Sequence, residues 1–209
     1  MSTISLYWAP ASPFVRKVMV CAHELGLQDR IEILASAANP VERDARIQAF
    51  NPLAKVPAAR TADGIALYDS RVICEYLDTQ AAEQGSQAHL FPVSGPARWT
   101  ALRRQALADG LLDAALLIRY ETLLRPEELR WSLWIDKQGE KVADALDEMN
   151  IDLPTTDSCD IGAISFACAL GWLDFRFPDL DWRAGRQSLA DWYAGFATRP
   201  AMLATQPKA

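Results

Sequence analysis

Two short runs of this chain carry residue types that could hold a ligand: Asn51-Pro52-Leu53-Ala54-Lys55-Val56-Pro57 and Tyr68-Asp69-Ser70. The prolines exclude a helix from the first run, because each lacks an N–H and its ring clashes with the preceding turn. A residue ahead of proline is held extended, so Val56 can offer its N–H and C=O to a chain laid beside it. Ser70 precedes Arg71-Val72-Ile73-Cys74-Glu75-Tyr76-Leu77, whose apolar residues recur at helical spacing. It is therefore an N-cap candidate. An open main-chain edge followed by a helix N-terminus suits a short peptide with a carboxylate, through strand-like pairing at Val56 and anion binding at Ser70. Singly, each run reads more readily as a plain turn or cap; their order along the chain is what points to a ligand.

The elements that must position these runs follow from periodicity. Ile4-Ser5-Leu6-Tyr7-Trp8 alternates like a half-buried strand. After the loop Ala9–Pro13, the stretch Phe14–Leu25 reads as a helix with Phe14, Val18, Cys21, Ala22 and Leu25 on one side. Ser12 is its expected N-cap, Pro13 its first residue and Gly26 its stop. Ile31–Leu34 reads as a second strand, and Asn39-Pro40 as the opening of a short helix to about Ala49. Ala58–Thr61, the turn Asp63-Gly64 and Ile65–Leu67 form a hairpin. Residues 1–78 thus run strand–helix–strand–helix–strand–strand–helix. The first two strands should be parallel across a right-handed crossover, with the hairpin adding antiparallel partners.

Residues 79–95 change character and read as a linker, and from 96 to 209 the strand signal is gone. Leu107, Leu111, Ala114 and Ile118 mark one long helix. Pro126 starts another, with Trp131, Trp134, Ile135, Val142, Leu146 and Met149 on its expected buried side. Asp157-Ser158-Cys159-Asp160 precedes Ile161–Leu170, which is apolar nearly all round and suits the centre of a helical domain. A last helix carries Leu189, Trp192, Tyr193 and Phe196.

At 209 residues, half of them apolar, the chain can bury a sizeable core. A net charge of −6 with scattered Lys and Arg argues against a nucleic-acid partner. No apolar run reaches the ~18 residues of a membrane span, and the start Met1–Ser5 carries no leader pattern. Cys21, Cys74, Cys159 and Cys168 show no metal or redox spacing and read as small core residues of a protein from a reducing, cytoplasmic compartment. His23 and His89 are the only histidines, too few for a His-rich metal site.

A small thioredoxin-like α/β half, a linker and an all-α half resemble the soluble glutathione transferases over essentially the whole chain. Ser12-Pro13-Phe14-Val15-Arg16-Lys17-Val18 looks like the first-helix start of bacterial members. Asn51–Pro57 looks like their cis-proline loop, Asp69-Ser70 like their glutamyl-binding pair, and Asp157–Asp160 like their central-helix capping box. One departure stands out: Asp157 occupies the place of the usual Ser or Thr three residues before Asp160, which puts two carboxylates at one helix end. The resemblance implies that Val56-Pro57 is cis and that Val56 pairs with the cysteinyl backbone of glutathione. It implies that Ser70 holds the γ-glutamyl carboxylate and Asp69 the amino group, with Phe14 and Lys55 as further contacts. Asp113 matches a carboxylate that in some relatives reaches that amino group across a homodimer interface.

The glutathione sulfur should then lie at the first helix start, beside Ser12. A serine there cannot form the mixed disulfides of relatives with cysteine at this place. Its hydroxyl can donate a hydrogen bond to a thiolate, which with the helix dipole favours ionisation of the thiol. Tyr7 is the rival hydroxyl. The electrophile is expected to be a small apolar molecule between the loop Tyr7, Trp8, Ala9, Pro10, Ala11 and the long helix at Leu116, Tyr120 and Leu124. The expected activity is conjugation of glutathione. Alternatives on the same framework are a glutathione-dependent reductase, isomerase or dehalogenase, and a non-catalytic binding or regulatory protein.

Overall fold

Four strands form one mixed sheet in the order β2-β1-β3-β4. β1 (Ile4–Trp8) pairs in parallel with β2 (Ile31–Ala35) and antiparallel with β3 (Ala58–Arg60), which pairs antiparallel with β4 (Ala66–Leu67). The structure, a computed structural model, describes residues 4–208. Met1–Thr3, inspected above for a leader, and Ala209 lie outside the described residues. The chain divides into two compact units, one running to Gly95 and resuming at Arg199, the other spanning Pro96–Thr198.

In the first unit β1 alternates as its sequence requires. Tyr7 packs on one face with Ile47, Ala58, Leu34, Phe50 and Val56, its ring edge-on to Phe50 at 4.8 Å. Ile4 and Leu6 are buried on the other, where Ile4 lines a small cleft together with Leu27, Tyr76 and Gln80. The helices are α1 (Pro13–Glu24), α2 (Ala45–Gln48) and α3 (Ser70–Glu83).

Three boundaries of this unit differ most from the sequence reading, each for a local reason. α2 is a single turn: the Asn39 side chain accepts from the N–H groups of Val41 and Glu42, which makes a turn of its own, and Asp44 caps the helix later by accepting from Arg46 N–H. The N-cap of α3 is Asp69, whose Oδ1 accepts from Arg71 N–H at 2.9 Å, and Ser70 is the first helical residue. Residues 79–95 are not a bare linker. α3 continues to Glu83, Leu90 and Phe91 are buried, and Leu90 N–H donates to Asp78 at 2.6 Å.

The chain end also returns to this unit. α8 (Pro200–Ala204) covers a second face of α1: Arg16 donates to Met202 O at 3.1 Å and Arg199 forks onto Glu24 at 2.7 and 2.8 Å. That cover explains why Arg16 is 7% exposed beside the apolar stripe; Lys17, next to it, is 1% exposed and has its ammonium 5.8 Å from the Phe14 ring centre.

The second unit is helical: α4 (Gly95–Leu123), α5 (Ser132–Ile151), α6 (Ile161–Arg176) and α7 (Gln187–Phe196). Every residue of α6 from Ile161 to Leu173 is buried, as its all-round apolarity requires. Asp160 caps α6 by accepting from Ala163 N–H at 2.9 Å. The partner of Asp160 is the Ser158 hydroxyl, which donates to it at 3.0 Å, while Asp157 stays exposed. The expected crowding of two carboxylates therefore does not arise. Cys159 lies in this loop and is only partly buried, unlike the other three cysteines. α5 starts at Ser132 rather than Pro126, and Trp131 and Trp134 stack on each other while 59% and 38% exposed. Val142, Leu146 and Met149 do face the core.

Arg104 of α4 reaches the far end of α5, forking onto Asp152 at 2.9 and 3.0 Å and donating to Leu153 O. The Arg104 guanidinium holds the Asp152 carboxyl below its ordinary range. A depressed folded-state pKa contributes stability that is complete above the unfolded value, about 3.9, and is lost as pH falls through the folded one. Asp152→Asn should therefore lower Tm at neutral pH, and thermal melts should show that gap closing once the pH drops below about 4.

Candidate functional site

Asn51 builds the loop that the sequence singled out. Its side chain is 2% exposed, accepts from Leu53 N–H at 3.0 Å and donates to Lys55 O at 3.0 Å. Its carbonyl accepts from Ala54 N–H at 2.8 Å, with Ala54 at φ 54°. The bridged span places Val56 ahead of a cis bond to Pro57. Pro57 is buried and Val56 half-buried, its side chain resting on the Tyr7 cluster. Among the described residues no hydrogen bond uses the N–H or C=O of Val56. The loop thus has one main-chain edge free to pair. Asn51 was quoted from the sequence only as part of a motif; a buried side chain that bonds both ways across the loop is visible only once the chain is folded.

The second run closes the same unit. Ser70, 2% exposed, heads the fourteen-residue helix α3, and among the described residues its hydroxyl takes part in no hydrogen bond. Asp69 is exposed and already accepts from Arg71 N–H. The pair therefore offers an unused hydroxyl, uncommitted N–H groups of a first helical turn and one carboxylate facing solvent. Lys55 is exposed.

Ser12 caps α1 as expected: its Oγ accepts from Val15 N–H at 3.3 Å, a long bond that leaves the hydroxyl proton free to donate. It is partly exposed at the end of a turn closed by Ser12 N–H to Ala9 O at 2.9 Å. Phe14, partly exposed, has the Lys17 ammonium 5.8 Å from its ring centre. In that turn Trp8 and Ala9 are partly exposed and Pro10 exposed. Tyr7, the rival hydroxyl and expected wall of the electrophile site, is 8% exposed inside its core cluster, so its ring is spent on packing.

On α4 of the second unit, Leu116 is partly exposed, Tyr120 is 37% exposed and Asp113 is exposed. Among the described residues no group of three or more His, Cys, Asp or Glu side chains gathers as a metal site would require. None of their helices is long and apolar enough to cross a membrane.

A four-stranded mixed sheet with this order, carrying a proline loop and a capped third helix and followed by a helical unit, is a thioredoxin-like domain joined to an all-α domain. Comparison with known proteins narrows the class. Residues 11–80 match the glutathione S-transferase amino-terminal domain and residues 132–195 the carboxy-terminal domain. The chain is 30% identical over 201 residues to the GST-like protein YibF of Escherichia coli, covering 94% of this chain and 95% of that one. It is 46% identical, with a TM-score of 0.93, to a glutathione transferase family member from Pseudomonas fluorescens Pf-5 crystallised with bound glutathione, over 99% of this chain and 100% of that one. A second crystal structure from the same organism, at 45% identity, a TM-score of 0.88 and the same coverage, holds S-(propanoic acid)-glutathione. The chain belongs to the glutathione transferase family.

Proposed function

We propose that this protein binds glutathione along the Asn51–Pro57 loop and the start of α3, and joins it through its sulfur to a small apolar electrophile. The observation that carries the reading is the pair of unused groups in one unit: the main-chain edge at Val56 and the buried Ser70 hydroxyl at a helix N-terminus. A γ-glutamyl tripeptide satisfies both. Its cysteinyl N–H and C=O pair with Val56, and its glutamyl carboxylate takes the Ser70 hydroxyl and the first-turn N–H groups of α3. Asp69, solvent-facing, takes the ammonium group, and Lys55 and Phe14 are further contacts. The glutathione-bound relative from Pseudomonas fluorescens supports the same ligand here.

Ser12 is the group assigned to the sulfur. Its cap bond uses an oxygen lone pair and not the proton, so it can still donate to a thiolate. In the forward reaction the Cys S–H proton leaves to solvent and the sulfur lone pair forms the new C–S bond; with a halide substrate the carbon–halogen bond breaks and halide leaves with its electron pair, and with an activated alkene the π pair moves to the neighbouring carbon, which takes a proton from solvent. Leu116 and Tyr120 are assigned to the electrophile. A homodimer with Asp113 reaching the partner's glutathione, and action in the cytoplasm, complete the proposal.

Calorimetric titration with glutathione tests the first half. Binding is expected for the wild type. Ser70→Ala, nearly isosteric at a buried site, should bind about tenfold or more weakly, since a hydrogen bond to a charged group contributes roughly 1.5–3 kcal/mol. Conjugation of 1-chloro-2,4-dinitrobenzene tests the second half. Binding without turnover of that or any other electrophile would leave a binding protein, and no binding at all would remove the reading.

A further inference from the structure

The Asn51–Pro57 loop holds one residue in a conformation that its side chain disfavours. Ala54, 8% exposed, sits at φ 54°. Alanine populates this left-handed region about five- to thirtyfold less readily than right-handed backbone, whereas glycine enters it freely. A residue with a Cβ stays there only when its surroundings over-determine the turn. Asn51 supplies three of the bonds that do so: its carbonyl takes Ala54 N–H, its side chain takes Leu53 N–H, and its amide donates to Lys55 O. All three arise inside the loop.

The fourth comes from outside it. The Arg43 guanidinium donates to Pro52 O, and among the described residues no other group does. Arg43 itself is fixed at its backbone on both sides. The Asn39 side chain holds the turn before it, and Asp44 caps α2 directly after it. The Asp44 carboxylate is already forked by Arg46, so it does not draw Arg43 away. The chain leading into the loop has its own anchor on the sheet: Arg60 of β3 donates to Ala49 O at 3.2 Å with its guanidinium 4.2 Å from the Phe50 ring centre, and Phe50 meets Tyr7 edge-on. The exposed Pro52 is thus left to a single exposed arginine.

We infer that Arg43 is a positioning residue of the glutathione site. It holds Pro52, and through it the strained turn at Ala54, so that the main-chain edge at Val56 is already in place when the tripeptide arrives. The inference rests on the transferase reading above and adds to it the residue that keeps the binding edge in register. A site that is competent in only a fraction of molecules binds its ligand more weakly by that fraction, so loss of the brace acts on affinity. Two rival roles are a direct charge contact with a glutathione carboxylate and plain stabilisation of the fold.

Calorimetric titration with glutathione and with its glycyl monoethyl ester separates the first rival. Arg43→Gln should weaken both ligands about three- to tenfold, and in turnover the loss should fall on KM for glutathione rather than on kcat. Arg43→Lys should return part of the affinity, because it keeps a charged donor without the fork. Adding Ala54→Gly to Arg43→Gln should return most of it, because glycine meets left-handed backbone without steric cost. A loss confined to glutathione, with the ester unaffected, overturns the inference, as does no loss, or a loss that Ala54→Gly leaves untouched. Amide hydrogen exchange of the ligand-free protein separates the second rival. The Ala54 N–H should exchange several-fold faster in Arg43→Gln while the amides of β1 keep their rates; an unchanged Ala54 rate, or an equal rise in β1, overturns the inference. A wild type that does not bind glutathione removes the transferase reading and the positioning role with it, and the exchange result then shows separately whether Arg43 braces the loop.

Discussion

Gly162→Ala should lower the melting temperature by about 4–10 °C. The backbone at this second residue of α6 is an ordinary helix, so conformational freedom is not the reason for glycine. The reason is space: an added Cβ meets Arg104 Cβ at 2.8 Å, Ala101 O at 2.9 Å and Asp160 Oδ1 at 3.1 Å. None of these is the free end of a flexible chain. The first is the stem of an arginine already held by three hydrogen bonds, the second is helix backbone, and the third is the cap. Forcing a methyl into a packed interior costs about 1–3 kcal/mol, here toward the upper end. For a chain of this length 1 kcal/mol corresponds to about 2–4 °C. Gly139 supplies the opposite sign. It lies inside α5 with nothing within 4 Å of an added Cβ, so Gly139→Ala should raise stability by about 0.4–1 kcal/mol through the unfolded chain alone. Calorimetric melts of the two variants check the pair; a Gly162→Ala protein as stable as the wild type would mean that α4 and α6 do not approach as described.

That contact also marks where sequence reading stops. The 2.0 and 3.6 periods place β1, α1 and α6 well, because one buried face dictates each pattern. Periodicity says that a helix has an apolar side without saying what covers it. For α5 it selects Val142, Leu146 and Met149 correctly and adds Trp131 and Trp134, which stack in solvent instead. On α1 it misses that Arg16 and Lys17 are buried; the cover of Arg16 is α8, which comes from the other end of the sequence. Boundaries fail where two capable residues adjoin. Asp69 and Ser70 can both cap α3, and only the backbone angles decide for Asp69. In the candidate site the loop and the capped helix are legible because proline and N-cap chemistry are local. The part played by Asn51 in building the loop, and the freedom of Val56 from any internal partner, depend on how the loop folds.

Ser12→Ala should reduce kcat/KM for conjugation about 10- to 100-fold near pH 6.5, with the deficit shrinking as the pH rises. An unperturbed thiol titrates near 8.5, so little of it is thiolate at neutral pH. A hydrogen bond to the charged form contributes roughly 1.5–3 kcal/mol, or about one to two pKa units. On the proposed reading, donation by Ser12 lowers the pKa of bound glutathione, and its removal should raise that pKa by the same amount. Well below both pKa values the rate falls with the thiolate fraction; above both, the thiol is ionised in either protein and the difference closes. The cap complicates only the stability. Losing the Val15 N–H to Ser12 Oγ bond costs about 1 kcal/mol in the alanine variant but only a few tenths in Ser12→Gly, since glycine is a tolerable N-cap. The glycine variant therefore separates the roles, keeping most of the stability and losing the same activity. Thiolate absorbance of bound glutathione, followed against pH for all three proteins, gives the shift directly. Identical titration curves would leave Ser12 as a cap alone and move the activation of the sulfur to the α1 dipole.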